Sequence, residues 1–334
     1  MSRTAFHRFV AIGLLAVALD AARAAEMPFA VPPGPKSQAA AQARFALAES
    51  AARAVSLEFP AALLPKDPGP PNRVGISRRE ALDALPTAGL LPDWQAVEGG
   101  YAARFTVRSA GARRLRVGIV VPAVPEGMEI RVGGPAGAPT DVLRADWMRE
   151  TYGPQPGLVW TPATPGEAQA IELFVPGLQR PGGDTGLVHD VSHLPVDPFA
   201  PADAAKDAKL LDCHQNFSCS NDATLRGAGT AVARMVYTSS GSSFVCTGSL
   251  LNDTGGAGTY FATAYHCIAT QAEAASLQFG WFFERLCNLA TINAAFTTTQ
   301  GSVLVRTSRE NDFTLLRVTG GIPAGTGRLG WSSS

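Results

Sequence analysis

The chain has 334 residues, 46% hydrophobic and 17% charged, with a formal net charge of zero. That length suffices for two domains of ordinary size. The balanced charge gives no electrostatic case for nucleic acid or an anionic membrane as a partner. Gly 34 and Pro 25 favour turns and short strands over long helices.

Residues 1–24 read as a secretory signal peptide. Arg3, His7 and Arg8 make a basic start, Phe9 to Leu19 is an apolar run of 11 residues, and Ala22-Arg23-Ala24 fits small-x-small cleavage. The run is too short to span a bilayer, and no later stretch approaches the roughly 18 apolar residues a span needs. A secreted, soluble monomer is expected, in a compartment where disulfides persist. Residues 25–72 begin Pro-rich and turn Ala-rich, with a short helix expected within Gln38 to Val55.

From Arg73 the period changes to two. Ala103 to Arg108 and Arg114 to Val117 alternate polar and apolar residues. Gly118 to Pro122, Met128 to Gly134 and Ala170 to Pro176 add strands bounded by Gly or Pro. Short strands at this spacing predict an antiparallel β-sandwich over 73–180, about 100 residues long. Trp147 and Trp160 are expected as core anchors, given the area an indole buries. Residues 181–209 read as an exposed linker rich in Pro and Gly. His189 and His193 have the spacing of a helical metal pair but sit in a loop-like context without a third ligand, so no metal site is assigned.

Residues 210–334 return to short strands. Ala231 to Thr238, Ser243 to Leu251, Thr259 to Ala264, Leu277 to Phe283, Ser302 to Arg306 and Phe313 to Val318 fit one closed antiparallel barrel. The first two are joined by the turn Ser239-Ser240-Gly241-Ser242. All five cysteines lie between Cys213 and Cys287. Five cysteines do not by themselves determine connectivity, and an odd one in a secreted chain stands out.

The chemistry centres on Thr263-Ala264-Tyr265-His266-Cys267, which closes the apolar run Tyr260-Phe261-Ala262. A histidine at the open end of a strand can act as a general base at neutral pH. Asp312 lies 46 residues on and leads into Phe313-Thr314-Leu315-Leu316. With Cys246-Thr247-Gly248-Ser249-Leu250 ahead of them, these segments resemble the bacterial lysyl endopeptidase family of chymotrypsin-fold serine proteases. The resemblance covers roughly Cys213 to Trp331.

It implies an all-β precursor with several parts. Residues 25–72 would be a pro-segment and 73–180 a β-sandwich pro-domain. Residues 181–209 would be a linker with a processing site at Lys206 or Lys209, and 210–334 the N-terminal barrel of a two-barrel protease. His266 and Asp312 would be two members of a His-Asp-Ser triad. The resemblance also implies disulfides Cys246–Cys267 and Cys219–Cys287, leaving Cys213 to pair with a cysteine of a second barrel. No Gly-x-Ser-Gly turn follows Asp312. Ser240 and Ser249 precede the histidine, and Ser332, Ser333 and Ser334 lie outside any such turn. The second barrel and the nucleophile are therefore expected beyond Ser334, and these 334 residues alone are expected to be inactive. The implied activity is hydrolysis of peptides or proteins after Lys, or more loosely after basic residues, without a cofactor. The competing reading is a non-catalytic secreted protein, a β-sandwich binding module joined to a degenerate protease-like barrel.

Overall fold

A computed structural model describes residues 44–45, 47, 54–58, 72–133, 139–200, 217–255, 258–287 and 292–331. Strands β1 (Ala54–Leu57) and β2 (Ile76–Ser77) precede two short helices, α1 (Arg79–Asp83) and α2 (Thr87–Leu90). Then come β3 (Gln95–Val97), β4 (Gly100–Ser109), β5 (Arg114–Val121), β6 (Glu129–Gly133) and β7 (Pro139–Arg144). Helix α3 (Ala145–Tyr152) leads to β8 (Gly157–Trp160), β9 (Thr164–Pro165), β10 (Ala168–Pro176) and β11 (Val188–Leu194). Helix α4 (Ala223–Gly229) opens the second half, followed by β12 (Val232–Ser239), β13 (Ser242–Leu250) and β14 (Tyr260–Thr263). Helix α5 (Gln271–Ala275) then precedes β15 (Gln278–Trp281), β16 (Thr297–Gln300), β17 (Ser302–Ser308) and β18 (Phe313–Val318). The protein is mostly β.

The first half holds two sheets that share one core. One runs β1-β4-β10-β6-β7, with β3 added to β4; the other runs β2-β11-β5-β8, with β9 added to β5. Val107, Ile130 and Ile171 from the first and Leu115, Val117, Ile119 and Val191 from the second are fully buried in the same hydrophobic cluster. The pairing of β1 with β4 is parallel, which a hairpin could not supply. Burial also falls on the face of β5 turned away from this core: Arg116 is 1% exposed.

The second half is a single antiparallel sheet in the order β16-β15-β12-β13-β14-β18-β17. Its first and last strands are consecutive in the chain, joined only by Gly301. Covalent continuity therefore brings the two ends of the sheet together. There Gly301 donates to Leu277 O at 2.7 Å and accepts from Thr319 N at 3.0 Å. The curl encloses a second core of Met235, Phe261, Phe279, Trp281 and Leu316. Strand β18 shows why the pattern is legible: Thr314, Leu316 and Val318 face in, while Phe313, Leu315 and Arg317 are less buried. The β12–β13 hairpin turns through Ser240 and Gly241, both at positive φ, the conformation of a type I′ two-residue turn.

Several expectations need correction. Residues 188–194 are not an exposed linker: they form β11, paired with β2 and β5, with Asp190, Ser192 and His193 buried. Their polar character concealed a strand that has protein on both faces. Strand β16 escaped notice because Thr297 to Gln300 carries no apolar alternation. Helix α3 was not anticipated, and Trp147 on it is only partly buried, donating from Nε1 to Gln300 O across to the seven-stranded sheet. The helix expected within Gln38–Val55 falls largely outside the described residues, and its last two positions lie in β1. The signal segment 1–24, Lys206, Lys209 and Cys213 lie outside them altogether.

Candidate active site

Strand β14 ends at Thr263, and the chain turns through Tyr265 and His266 in a single helical turn. Cys267 N and Ile268 N both donate to Ala264 O, at 3.2 and 3.1 Å. Three features hold the turn. The Cys246–Cys267 disulfide ties it to the middle of β13, Ile268 is fully buried, and Thr314 Oγ1 donates to Ile268 O at 2.7 Å. A covalent anchor at Cys267 and an apolar one at Ile268, both directly after the histidine, leave the imidazole as the projecting group. The second disulfide, Cys219–Cys287, joins the segment before α4 to the loop after β15.

Asp312 reaches the same point from the β17–β18 hairpin. Its φ of +46° is in the left-handed region, which few non-glycine residues occupy and which aspartate tolerates better than most. Such an outlier costs on the order of 1–3 kcal/mol and persists where the surroundings over-determine it. Here its carboxylate is held at both oxygens. His266 N donates to Oδ1 at 2.9 Å, and His266 Nδ1 lies 2.7 Å from Oδ2. These bonds to the His266 backbone and ring hold the Asp312 carboxyl below the usual carboxylate range. An ionised Asp312 can only accept, so Nδ1 must carry the proton and the neutral ring keeps its lone pair on Nε2. The His266 side chain is 67% exposed, which leaves that nitrogen accessible.

A depression of about 240 Å³ adjoins the histidine. Tyr237 and Phe244, stacked with centroids 5.7 Å apart, line it together with Tyr265, Glu273 and Asn72. Glu273 is fixed by a capping box at the start of α5, bonded to Ala269 N and Thr270 N, and it accepts from Ser239 Oγ at 2.7 Å. The Thr270-x-x-Glu273 signature was readable in the sequence. The aromatic pair was readable too, because a two-residue turn at Ser240-Gly241 sets Tyr237 opposite Phe244.

Metal chemistry finds no support in the remaining candidates. Cys246, His266 and Cys267 come within 4.8 Å of one another, but the two sulfurs are bonded together and offer no thiolate. His189 and His193 lie on a strand, which at ~3.3 Å per residue sets them about 13 Å apart rather than one helical turn. His193 Nδ1 instead lies 2.8 Å from Ser109 Oγ.

Comparison with known proteins agrees over both halves. The family described as lysyl endopeptidase, C-terminal domain, matches residues 209–334, and the lysyl endopeptidase N-terminal domain matches residues 40–195. A lysyl endopeptidase of Pseudomonas aeruginosa is 31% identical over 316 residues, covering 87% of this chain and 67% of its own length. Two family matches in the expected order, together with that identity, establish that the chain belongs to the lysyl endopeptidase family.

Proposed function

We propose that this chain is the precursor of a secreted serine endopeptidase that cleaves after lysine, with His266 as general base and Asp312 as the group that orients it. The observation that carries this reading is the pair of hydrogen bonds between one carboxylate and His266. Oδ1 accepts from the backbone N–H and Oδ2 binds the ring at Nδ1. The two contacts fix both the position and the tautomer of the base.

In the proposed reaction a serine Oγ–H gives its proton to His266 Nε2 as the oxygen attacks the scissile carbonyl. The resulting imidazolium, stabilised by Asp312, returns that proton to the leaving amine as the C–N bond breaks. Water then repeats the sequence to release the acyl group. The 334 residues contain no Gly-x-Ser-Gly turn after Asp312, so none of their serines is assigned as the nucleophile and these residues alone are expected to be inactive. Preference for lysine is supported by family membership. Export through residues 1–24 and maturation after Lys206 or Lys209 complete the reading, and N-terminal sequencing of the secreted product checks both.

The test of the activity is to express the full reading frame and treat the product with a fluorophosphonate and with a lysyl peptide substrate. Covalent labelling and cleavage after lysine, both lost in His266→Ala, are expected. A full-length product that folds with both disulfides but neither labels nor cleaves would rule the proposal out.

A further inference from the structure

The depression beside His266 carries groups that the proton transfers leave idle. Its wall starts on the β12–β13 hairpin. Side chains two apart on a strand share a face, so Tyr237 and Ser239 of β12 point the same way, and Phe244 of β13 stands opposite Tyr237. The two rings stack with centroids 5.7 Å apart. Helix α5 adds Glu273, the one carboxylate among the described residues that line the depression. Only Asn72 of the lining comes from the first half, so the wall is built by the seven-stranded sheet and its helix.

The capping box accounts for one oxygen of Glu273. Oε2 accepts from Ala269 N at 2.9 Å and from Thr270 N at 3.0 Å. Oε1 is turned instead to the hairpin, where it accepts from Ser239 Oγ at 2.7 Å. Two amides and a hydroxyl are neutral donors, so they hold the carboxylate in place without cancelling its charge. A carboxylate has about four acceptor positions, and these three bonds leave one open on Oε1. The charge is felt on the aromatic wall: the Tyr237 hydroxyl is pushed up to about 12, first by burial and then by Glu273.

An anionic oxygen beside stacked rings suits one class of ligand. Lysine and arginine pack an aliphatic stem on apolar surface and keep a cationic head in polar surroundings. Guanidinium also stacks on aromatic faces. The depression, at about 240 Å³, holds one such side chain, whereas an acidic one would meet a like charge.

We propose that Tyr237, Phe244 and Glu273 form a subsite for a basic residue flanking the scissile lysine, so that a second lysine or arginine close to the cleaved one speeds hydrolysis. The inference rests on the protease reading, since His266 is what sets the scissile bond near the depression. Glu273 is then a specificity residue as well as a helix cap.

The test uses the product of the full reading frame, wild type and Glu273→Gln. Glutamine serves in a capping box as glutamate does, so the exchange removes the charge and keeps the cap. The substrates are peptides with a single lysine at the cleaved bond and either arginine or glutamate at one of the two positions on each side. At one of these positions wild type is expected to prefer arginine at least about fivefold in kcat/KM, and the preference is expected to fall below about twofold in Glu273→Gln. Loss of folded enzyme slows both substrates alike and leaves the ratio unmoved. A second readout needs no turnover. In full-length His266→Ala, acetyl-arginine amide is expected to shift the Tyr237 and Phe244 ring resonances, and adding Glu273→Gln is expected to abolish the shift. Equal rates with arginine and glutamate at every position would overturn the proposal, as would a preference that survives Glu273→Gln. So would a variant that instead loses its selectivity for the cleaved lysine, or rings that do not respond to arginine. A full-length product that cleaves nothing while its rings still respond would sink the protease reading and leave the cation site. An active enzyme that fails these measurements would sink only the subsite.

Discussion

Replacing Asp312 by asparagine isolates the part of the site that the structure makes most specific. The wild-type carboxylate accepts twice, from His266 N at 2.9 Å and at His266 Nδ1 at 2.7 Å. Asparagine has one oxygen and one NH₂ in the same outline. If the oxygen keeps the backbone amide, the NH₂ faces Nδ1, and Nδ1 must become the acceptor. The neutral ring then carries its proton on Nε2, so the nitrogen facing the substrate can no longer take one. The loss is expected at about 10⁴-fold in kcat, the scale this exchange has in Ser-His-Asp proteases. KM should change little, because the carboxylate does not touch substrate. Nitrogen-15 NMR of labelled histidine, at a pH where the ring is neutral, reads the tautomer directly, and steady-state kinetics on the full-length enzyme reads the rate. An unchanged Nδ1–H tautomer, or a loss of less than tenfold in kcat, would refute the reasoning.

Other consequences are open to measurement. Arg116 is buried on the far side of β5 and donates to Thr161 O, Thr238 Oγ1 and Ser276 O at 3.0, 2.9 and 2.5 Å, while burial pulls its pKa down to about 10. Arg116→Met keeps the volume but strands those acceptors. Relief of the buried charge offsets part of the cost, so a loss of about 2–3 kcal/mol is expected, visible as a lower urea midpoint. Removing the Cys246–Cys267 bridge as a double alanine variant should cost about 3 kcal/mol from the loop it closes, 21 residues in sequence separation. It should also broaden the His266 resonances, and a variant as stable and as sharp as wild type would contradict this. His193 is held neutral chiefly by burial and then by the charge of Arg78, with its pKa lowered to about 4 from 6.5. The unfolded chain therefore binds the proton first as pH falls. This residue's contribution to stability is intact above pH 6.5 and lost on descending toward 4. Denaturation midpoints across that window should fall less steeply in His193→Gln than in wild type.

Much of the site was legible before folding because it is local. His266 and Cys267 follow directly on an apolar strand, Asp312 opens another, and turn chemistry at Ser240-Gly241 marks the hairpin between β12 and β13. Alternation is clearest in β14 and β18, where Phe261 and Leu316 face the second core while Tyr260 and Leu315 are less buried. Strand β16, with no apolar residue, fell below that signal.

Residue order was enough to read a strand-rich chain of two halves, its family, and the two residues proposed to act as base and orienter. Which polar residues are inside depended on how the sheets pack. Arg116 reads as the outward half of an alternating strand, and Asp190, Ser192 and His193 as part of a linker, yet all are buried because a second sheet packs over them. Alternation reports that two faces differ, not what covers the polar one. The same limit hid Asn72–Gly75 on the edge of β13, because backbone pairing between distant segments leaves no trace in residue type. The bond between Asp312 and His266 likewise needed a left-handed backbone at position 312 and the β14–β18 register to close.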